Sequence, residues 1–134
     1  MAIKLIALDL DGTLLTSDKR ITTRTKDIIA RAMARGVTVT IATGRMLRSA
    51  VYFARLLASD APVICCNGGY VGHAEGEPVF AKYFDPDLVR EFLTFVYERN
   101  WYVNWYSGIE IYAPEYRADH FDAYRTTGNF VVTE

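Results

Sequence analysis

The chain has 134 residues, 51% hydrophobic and 23% charged, proportions of a folded globular protein rather than a disordered one. Nine glycines and four prolines exclude collagen-like or linker sequence, and a formal net charge of −1 leaves any nucleic-acid binder in need of a local basic patch. No apolar run reaches the length of a membrane span, and the opening MAIKLIALDLDG lacks the apolar stretch and cleavage site of a signal peptide, so the expectation is a cytoplasmic protein with no nucleic-acid and no membrane partner.

Residues 3–8 are nearly continuously apolar, as in a strand buried on both faces of a parallel sheet. Thr22 or Thr23 can cap a helix running to residue 35, with Ile28, Ile29, Ala32 and Met33 at helical spacing and Gly36 where a terminating glycine belongs. Residues 37–42 are β-branched and read as a second strand. A second helix follows, with Met46, Leu47, Ala50, Val51, Ala54, Leu57 and Ala58 on one face. Residues 62–66 form a third strand. Strand, helix, strand, helix, strand predicts an α/β fold with a doubly wound parallel sheet. Cys65 and Cys66 are adjacent, and neighbouring strand residues point to opposite faces. The two thiols are therefore expected to be separate small hydrophobes in a reducing compartment.

After Asn67-Gly68-Gly69 the rhythm changes. Residues 70–73 and 79–83 read as short strands, and Asp85-Pro86-Asp87 opens a third helix to about residue 99. Residues 101–106 and 109–112 read as strands about a Ser107-Gly108 turn, 117–126 as a weak helix and 129–132 as a last strand. Charge divides along the same line: residues 1–60 carry an excess of Lys and Arg, and the remainder an excess of Asp and Glu. The leading part thus favours an anionic ligand. His73 and His120 are isolated and read as surface or turn residues.

Parallel strands share one C-terminal edge, where open α/β folds bind ligands. The first strand ends in Asp9-Leu10-Asp11-Gly12-Thr13, the second in Thr43-Gly44-Arg45 and the third in Asn67-Gly68. Asp9 and Asp11 are two apart, so an extended chain would place both carboxylates on one face. There they repel, and one stays protonated unless a cation intervenes. Mg2+, which takes oxygen ligands, would relieve that repulsion. A carboxylate beside it can attack a phosphoryl group, and a second can act as general acid and base. Gly12 lets backbone N–H groups approach an anion. Thr43 offers a hydroxyl, Gly44 opens the second helix, where anions bind, and Arg45 or Arg48 can hold a phosphate oxygen or pair with a carboxylate. Asp85-Pro86-Asp87 repeats the D-x-D spacing without an apolar strand before it, and reads as a helix cap.

LIALDLDGTLL, TIATGR and ICCNGGYV together resemble the haloacid dehalogenase (HAD) superfamily, and more narrowly its Cof-type phosphatases, whose cap is inserted after the third strand. FDPDLVREFL resembles the entry to that α/β cap. The resemblance implies a Rossmann-like core, incomplete here, over 1–81 and a partial cap over 82–134. It implies Asp9 as nucleophile, Asp11 as general acid/base, and Mg2+ held by the Asp9 carboxylate and the Asp11 carbonyl. Thr43 matches the phosphate-binding hydroxyl, with Gly12, Gly44 and Arg45 beside it. Asn67 and Gly68 read equally as a rim of the site and as a turn between core and cap. The implied substrate is a small phosphorylated metabolite.

The resemblance also implies a lysine and an acidic pair that follow the cap. The lysines are Lys4, Lys19, Lys26 and Lys82, and no Gly-Asp pair occurs. The expectation is therefore the leading portion of a longer phosphatase with little activity alone, whose partners are a second copy or the segments that complete the core. The alternatives are a non-catalytic binding or assembly module and a phospho-acceptor domain like bacterial receivers. The Gly-Thr after the acceptor and the following cap speak against the last.

Overall fold

The computed structural model describes residues 2–107 and 110–113. They fall into two compact units, Met1–Ala81 and Lys82–Glu134.

The first unit is built on parallel strands. β1 (Leu5–Leu8) pairs in parallel with β2 (Thr38–Ile41), with Leu5 opposite Thr38 and Leu8 opposite Ile41. β3 (Val63–Cys65) joins β2 through one parallel bridge, Ala42 to Ile64. Between the strands run α1 (Thr23–Met33) and α2 (Leu47–Leu56). The expected α/β order is present. β3 then turns into an antiparallel extension, β4 (Tyr70–Gly72) and β5 (Phe80–Ala81).

Local chemistry explains the boundaries. Thr22 caps α1, its Oγ1 accepting from the Thr25 N–H at 3.1 Å. The helix stops short of residue 35 because Gly36, left-handed at φ 81, lets Val37 N–H reach back to Ala32 O at 3.2 Å. Ala58, expected on the α2 face, lies beyond that helix at φ 53 and is exposed. The buried side of α2 is Leu47, Ala50, Phe53 and Ala54, packed with Leu10, Val39, Ile41, Val63 and Cys65 into one core. β1 departs from the expectation of burial on both faces. Its side chains alternate between exposed and half-buried, and Leu5 is 58% exposed. Among the described residues β1 pairs with β2 on one side only, so it stands at an edge of the sheet.

In the second unit, α3 (Pro86–Glu98) begins at Asp85, whose Oδ1 accepts from the Asp87 N–H at 2.8 Å and from the Leu88 N–H. The second D-x-D is thus a helix cap. β6 (Trp105–Ser107) and β7 (Glu110–Tyr112) form an antiparallel pair in which Trp105 stacks on Tyr112 at 6.0 Å between ring centroids. The strand expected over 101–106 begins late because Trp101 belongs to the end of α3. Its N–H donates to Val96 O at 3.1 Å, and its ring meets Phe95 edge-on at 5.9 Å. The helix expected over 117–126 and the strand over 129–132 lie outside the described residues. Among the described residues, no helix is long and apolar enough to cross a membrane.

Candidate active site

β1 delivers Asp9 to the sheet edge, and the chain then makes one wide turn over Leu10–Leu14. Leu14 N–H donates to Asp9 O at 3.2 Å and Leu15 N–H to Leu10 O at 2.9 Å. Buried Leu10 and Leu14 anchor the turn, which leaves Asp11, Gly12 and Thr13 exposed. Gly12 sits at φ 77 with open space where a Cβ would be, so its left-handed backbone, not crowding, selects glycine. Thr13 Oγ1 donates to Asp9 Oδ2 at 3.1 Å.

Asp11 is held elsewhere. Arg45 grips its carboxylate with two bonds, Nε to Oδ2 at 2.7 Å and Nη2 to Oδ1 at 2.8 Å. Lys19 Nζ donates to Oδ1 at 2.7 Å. Arg45 is fixed in turn from α2: Nη1 donates to Ser49 Oγ at 3.2 Å, and the guanidinium lies 5.3 Å from the Phe53 ring centroid. The Arg45 bonds hold the Asp11 carboxyl well below the usual carboxylate range; partial burial opposes the shift and Lys19 adds to it. The expectation was that one of the paired carboxyls stays protonated unless a cation intervenes, and here the intervening cations are side chains. Two side-chain cations already keep Asp11 ionised.

Thr43, two residues past the end of β2, is buried; its N–H donates to Ile64 O at 2.9 Å and its Oγ1 accepts from the Arg45 N–H at 3.2 Å. Gly44 faces the loop after β3. A Cβ there would lie 2.6 Å from Asn67 Oδ1, so the exposed Asn67 side chain would have to turn aside. That loop is left-handed at three successive residues, Cys66, Asn67 and Gly68, with φ of 51, 54 and 86. Cys66 N–H latches it to Arg45 O at 2.8 Å. Asn67 and Gly68 are exposed.

The N-cap residue of α2, Met46, has no side-chain acceptor. Cys66 is left-handed at φ 51, one residue past the end of β3, so strand alternation, on which the expectation of opposed thiols rested, does not govern it; both cysteines are free. The bond from Cys65 lowers Cys66 to about 7; burial opposes this, and the Leu47 N–H adds to it. The bond to Cys66, together with burial, pushes Cys65 up.

The sheet edge thus joins Asp11 to Arg45, Thr43 to Arg45 and Gly44 to Asn67. Among the described residues, neither Arg45 nor Lys19 bonds Asp9. Among the described residues, no group of three or more His, Cys, Asp or Glu converges as a metal site. Lys19 is the residue that the motifs did not point to. It reaches Asp11 from a tight turn in which Thr16 N–H donates to Arg20 O at 3.0 Å and Lys19 itself is left-handed at φ 60. Nothing in T-S-D-K-R announces that direction. The support of Arg45 was readable, since Ser49 and Phe53 follow it at helical spacing.

A sequence profile described as haloacid dehalogenase-like hydrolase matches residues 6–134. Pyridoxal phosphate phosphatase YbhA of Escherichia coli is 45% identical over 71 residues, 53% of this chain and 26% of that protein. Phosphatase YwpJ of Bacillus subtilis is 30% identical over 112 residues, 84% of this chain and 39% of that protein. Among solved structures, a haloacid dehalogenase-like hydrolase from B. subtilis superposes with a TM-score of 0.76 at 28% identity, over 90% of this chain and 42% of that one. Another from Bacteroides thetaiotaomicron shares the fold at a TM-score of 0.86 and 24% identity, over 99% of this chain and 52% of that one. The chain spans well under half the length of the curated relatives it matches.

Proposed function

The chain belongs to the haloacid dehalogenase-like hydrolases, and from that premise we propose that it carries the phosphate-handling edge of a phosphomonoester hydrolase that works through an aspartyl-phosphate. The observation that supports this best is the convergence of Asp9, the Asp11–Arg45–Lys19 cluster and Thr43 at the ends of parallel strands. On this reading residues 1–81 are the leading part of the catalytic core and 82–134 part of a cap. Names of relatives support a small phosphorylated metabolite as substrate, since they include pyridoxal phosphate and HMP-PP phosphatases; a cytoplasmic setting is part of the same proposal.

Asp9 is assigned as the nucleophile: an Oδ forms a bond to phosphorus as the bond to the leaving oxygen breaks. Asp11 is assigned the proton transfers, to the leaving oxygen and then from the attacking water. As it stands Asp11 is ionised and cannot donate. An arriving phosphate dianion competes for Arg45 and Lys19, and drawing those cations off Asp11 raises its proton affinity. The Thr43 hydroxyl, the N–H groups about Gly12 and Gly44, and the rim residues Asn67 and Gly68 complete the anion site. Mg2+ is the cation this reading assigns, since the Asp9 carboxylate and Asp11 carbonyl are hard oxygen donors that would hold it. It would neutralise charge on the phosphoryl oxygens. The described residues offer no third acidic ligand, which supports weak turnover by this chain alone and association with further segments or a second copy.

Phosphoenzyme trapping tests the assignment. With Mg2+ and labelled p-nitrophenyl phosphate, the acid-quenched chain should carry hydroxylamine-labile phosphate that Asp9→Asn abolishes. Turnover undiminished in Asp9→Asn overturns the nucleophile, and strong turnover by the 134-residue chain overturns the need for further segments.

A further inference from the structure

We propose that Lys19 is a substrate-contacting residue: of the two cations on Asp11, it is the one whose ammonium goes over to a peripheral oxygen of the phosphoryl group, while Arg45 stays. The proposal rests on the phosphatase reading of the strand edge and names a contact that no motif supplies. Three observations carry it. Lys19 sits on a built arm. Leu15 and Ile21, at the two ends of its loop, are buried in the core. Thr16 ties the loop across: its N–H donates to Arg20 O at 3.0 Å, and its Oγ1 accepts from the Arg20 N–H at 3.1 Å. Asp18 and Arg20, on either side of Lys19, pair with each other, so of the loop's charged residues Lys19 alone crosses to Asp11. Its backbone is also strained. At φ 60 Lys19 occupies the left-handed region, which glycine or asparagine enters more readily, and such strain gathers where a side chain is held for use.

The third observation is what each cation has left to give. Arg45 is 16% exposed and committed to Asp11, Ser49 and the Phe53 ring. Moving it breaks all of these at once. The Lys19 side chain is 47% exposed, and among the described residues its ammonium meets one acceptor, Asp11 Oδ1 at 2.7 Å. An ammonium carries three N–H donors, so the remainder are open to a ligand. The role assigned to Asp11 places that ligand. A carboxyl that hands a proton to the leaving oxygen lies about 2.6–3.2 Å from it, so a cation bonded to Asp11 stands beside the phosphoryl group. The flexible lysine stem lets the ammonium turn to it, where the anchored guanidinium is held back. The added charge also sets a preference, because a phosphomonoester dianion gains more from Lys19 than a monoanionic phosphodiester does.

Titration of the chain with inorganic phosphate at low salt tests this, with the backbone amide NMR signals of Gly12 and Thr43 reporting occupancy of the edge. Lys19→Met should weaken phosphate binding about five- to tenfold, and Lys19→Arg should restore most of the affinity. Arg20→Met removes a charge from the same loop without touching the site, and should change the affinity less than about twofold. The decisive comparison is made in Asp11→Asn, where no carboxylate is left to neutralise. There Lys19→Met should still weaken binding by a similar factor. An effect that vanishes in Asp11→Asn would show that Lys19 only neutralises Asp11, and would overturn the proposal, as would a loss no larger than that of Arg20→Met. Phosphate that leaves the Gly12 and Thr43 signals of the unmodified chain unmoved would overturn the phosphatase reading together with it.

Discussion

Replacing Arg45 by Ala removes three supports at once: the two-pronged bond to Asp11, the bond to Ser49 and the stack on Phe53. Hydrogen bonds to charged groups are worth ~1.5–3 kcal/mol when shielded. The Asp11 side chain is 44% exposed and that of Arg45 16%, so solvent screening cuts the pair to ~1 kcal/mol. The stack on Phe53 adds ~0.5–1 kcal/mol. Arg45→Ala should therefore cost ~2 kcal/mol, and Asp11→Asn, which keeps the stack, ~1 kcal/mol. The double variant should fall short of the summed costs by ~1 kcal/mol, the coupling between the partners. Urea unfolding of the four proteins at low salt measures this, and at high salt the coupling should shrink. Strictly additive costs at low salt would refute the ion pair as a feature of the protein in solution. The pH dependence has a fixed sign. The folded state lowers the Asp11 carboxyl below its unfolded value, so its contribution is complete above about pH 4 and is lost as pH falls further. The stability gap between the unmodified chain and Asp11→Asn should close in acid and stay constant from pH 5 to about pH 7.

Three further expectations test other joints of the structure. Gly44→Ala drives a Cβ to 2.6 Å from Asn67 Oδ1. Because Asn67 is exposed and can turn aside, the variant should cost under ~0.5 kcal/mol in urea unfolding; a loss of several times that would show that the Asn67 side chain is held in place. Asp85→Ala removes the acceptor for the Asp87 and Leu88 N–H groups, and should lower the helical circular dichroism and the stability by ~1 kcal/mol. Iodoacetamide should alkylate Cys66 with a midpoint near pH 7 while Cys65 stays unmodified in the folded chain; a midpoint near that of an ordinary thiol would argue against the Leu47 and Cys65 hydrogen bonds.

The order of elements along the chain and the residues at the three strand ends were legible in the amino-acid sequence, because apolar periodicity and capping residues act over a few positions. Thr22 before α1, Gly36 after it and Asp85 before α3 have local causes and local effects. The motif D-x-D-G-T-L likewise locates a sheet edge from its own neighbourhood. What the sequence did not carry is how side chains distant along the chain share charge and space. Arg45 and Lys19 converge on Asp11 because a wide turn after β1, a left-handed Lys19 and the start of α2 meet at one edge, and pairing across that distance leaves no periodic trace. Cys66 stops obeying strand alternation because Arg45 O captures its N–H and turns the chain left-handed. Local propensity thus determined where Asp9, Asp11, Thr43 and Asn67 lie along the fold. Tertiary structure alone decided that Asp11 is held ionised by two cations, because charge and packing are settled by neighbours in space.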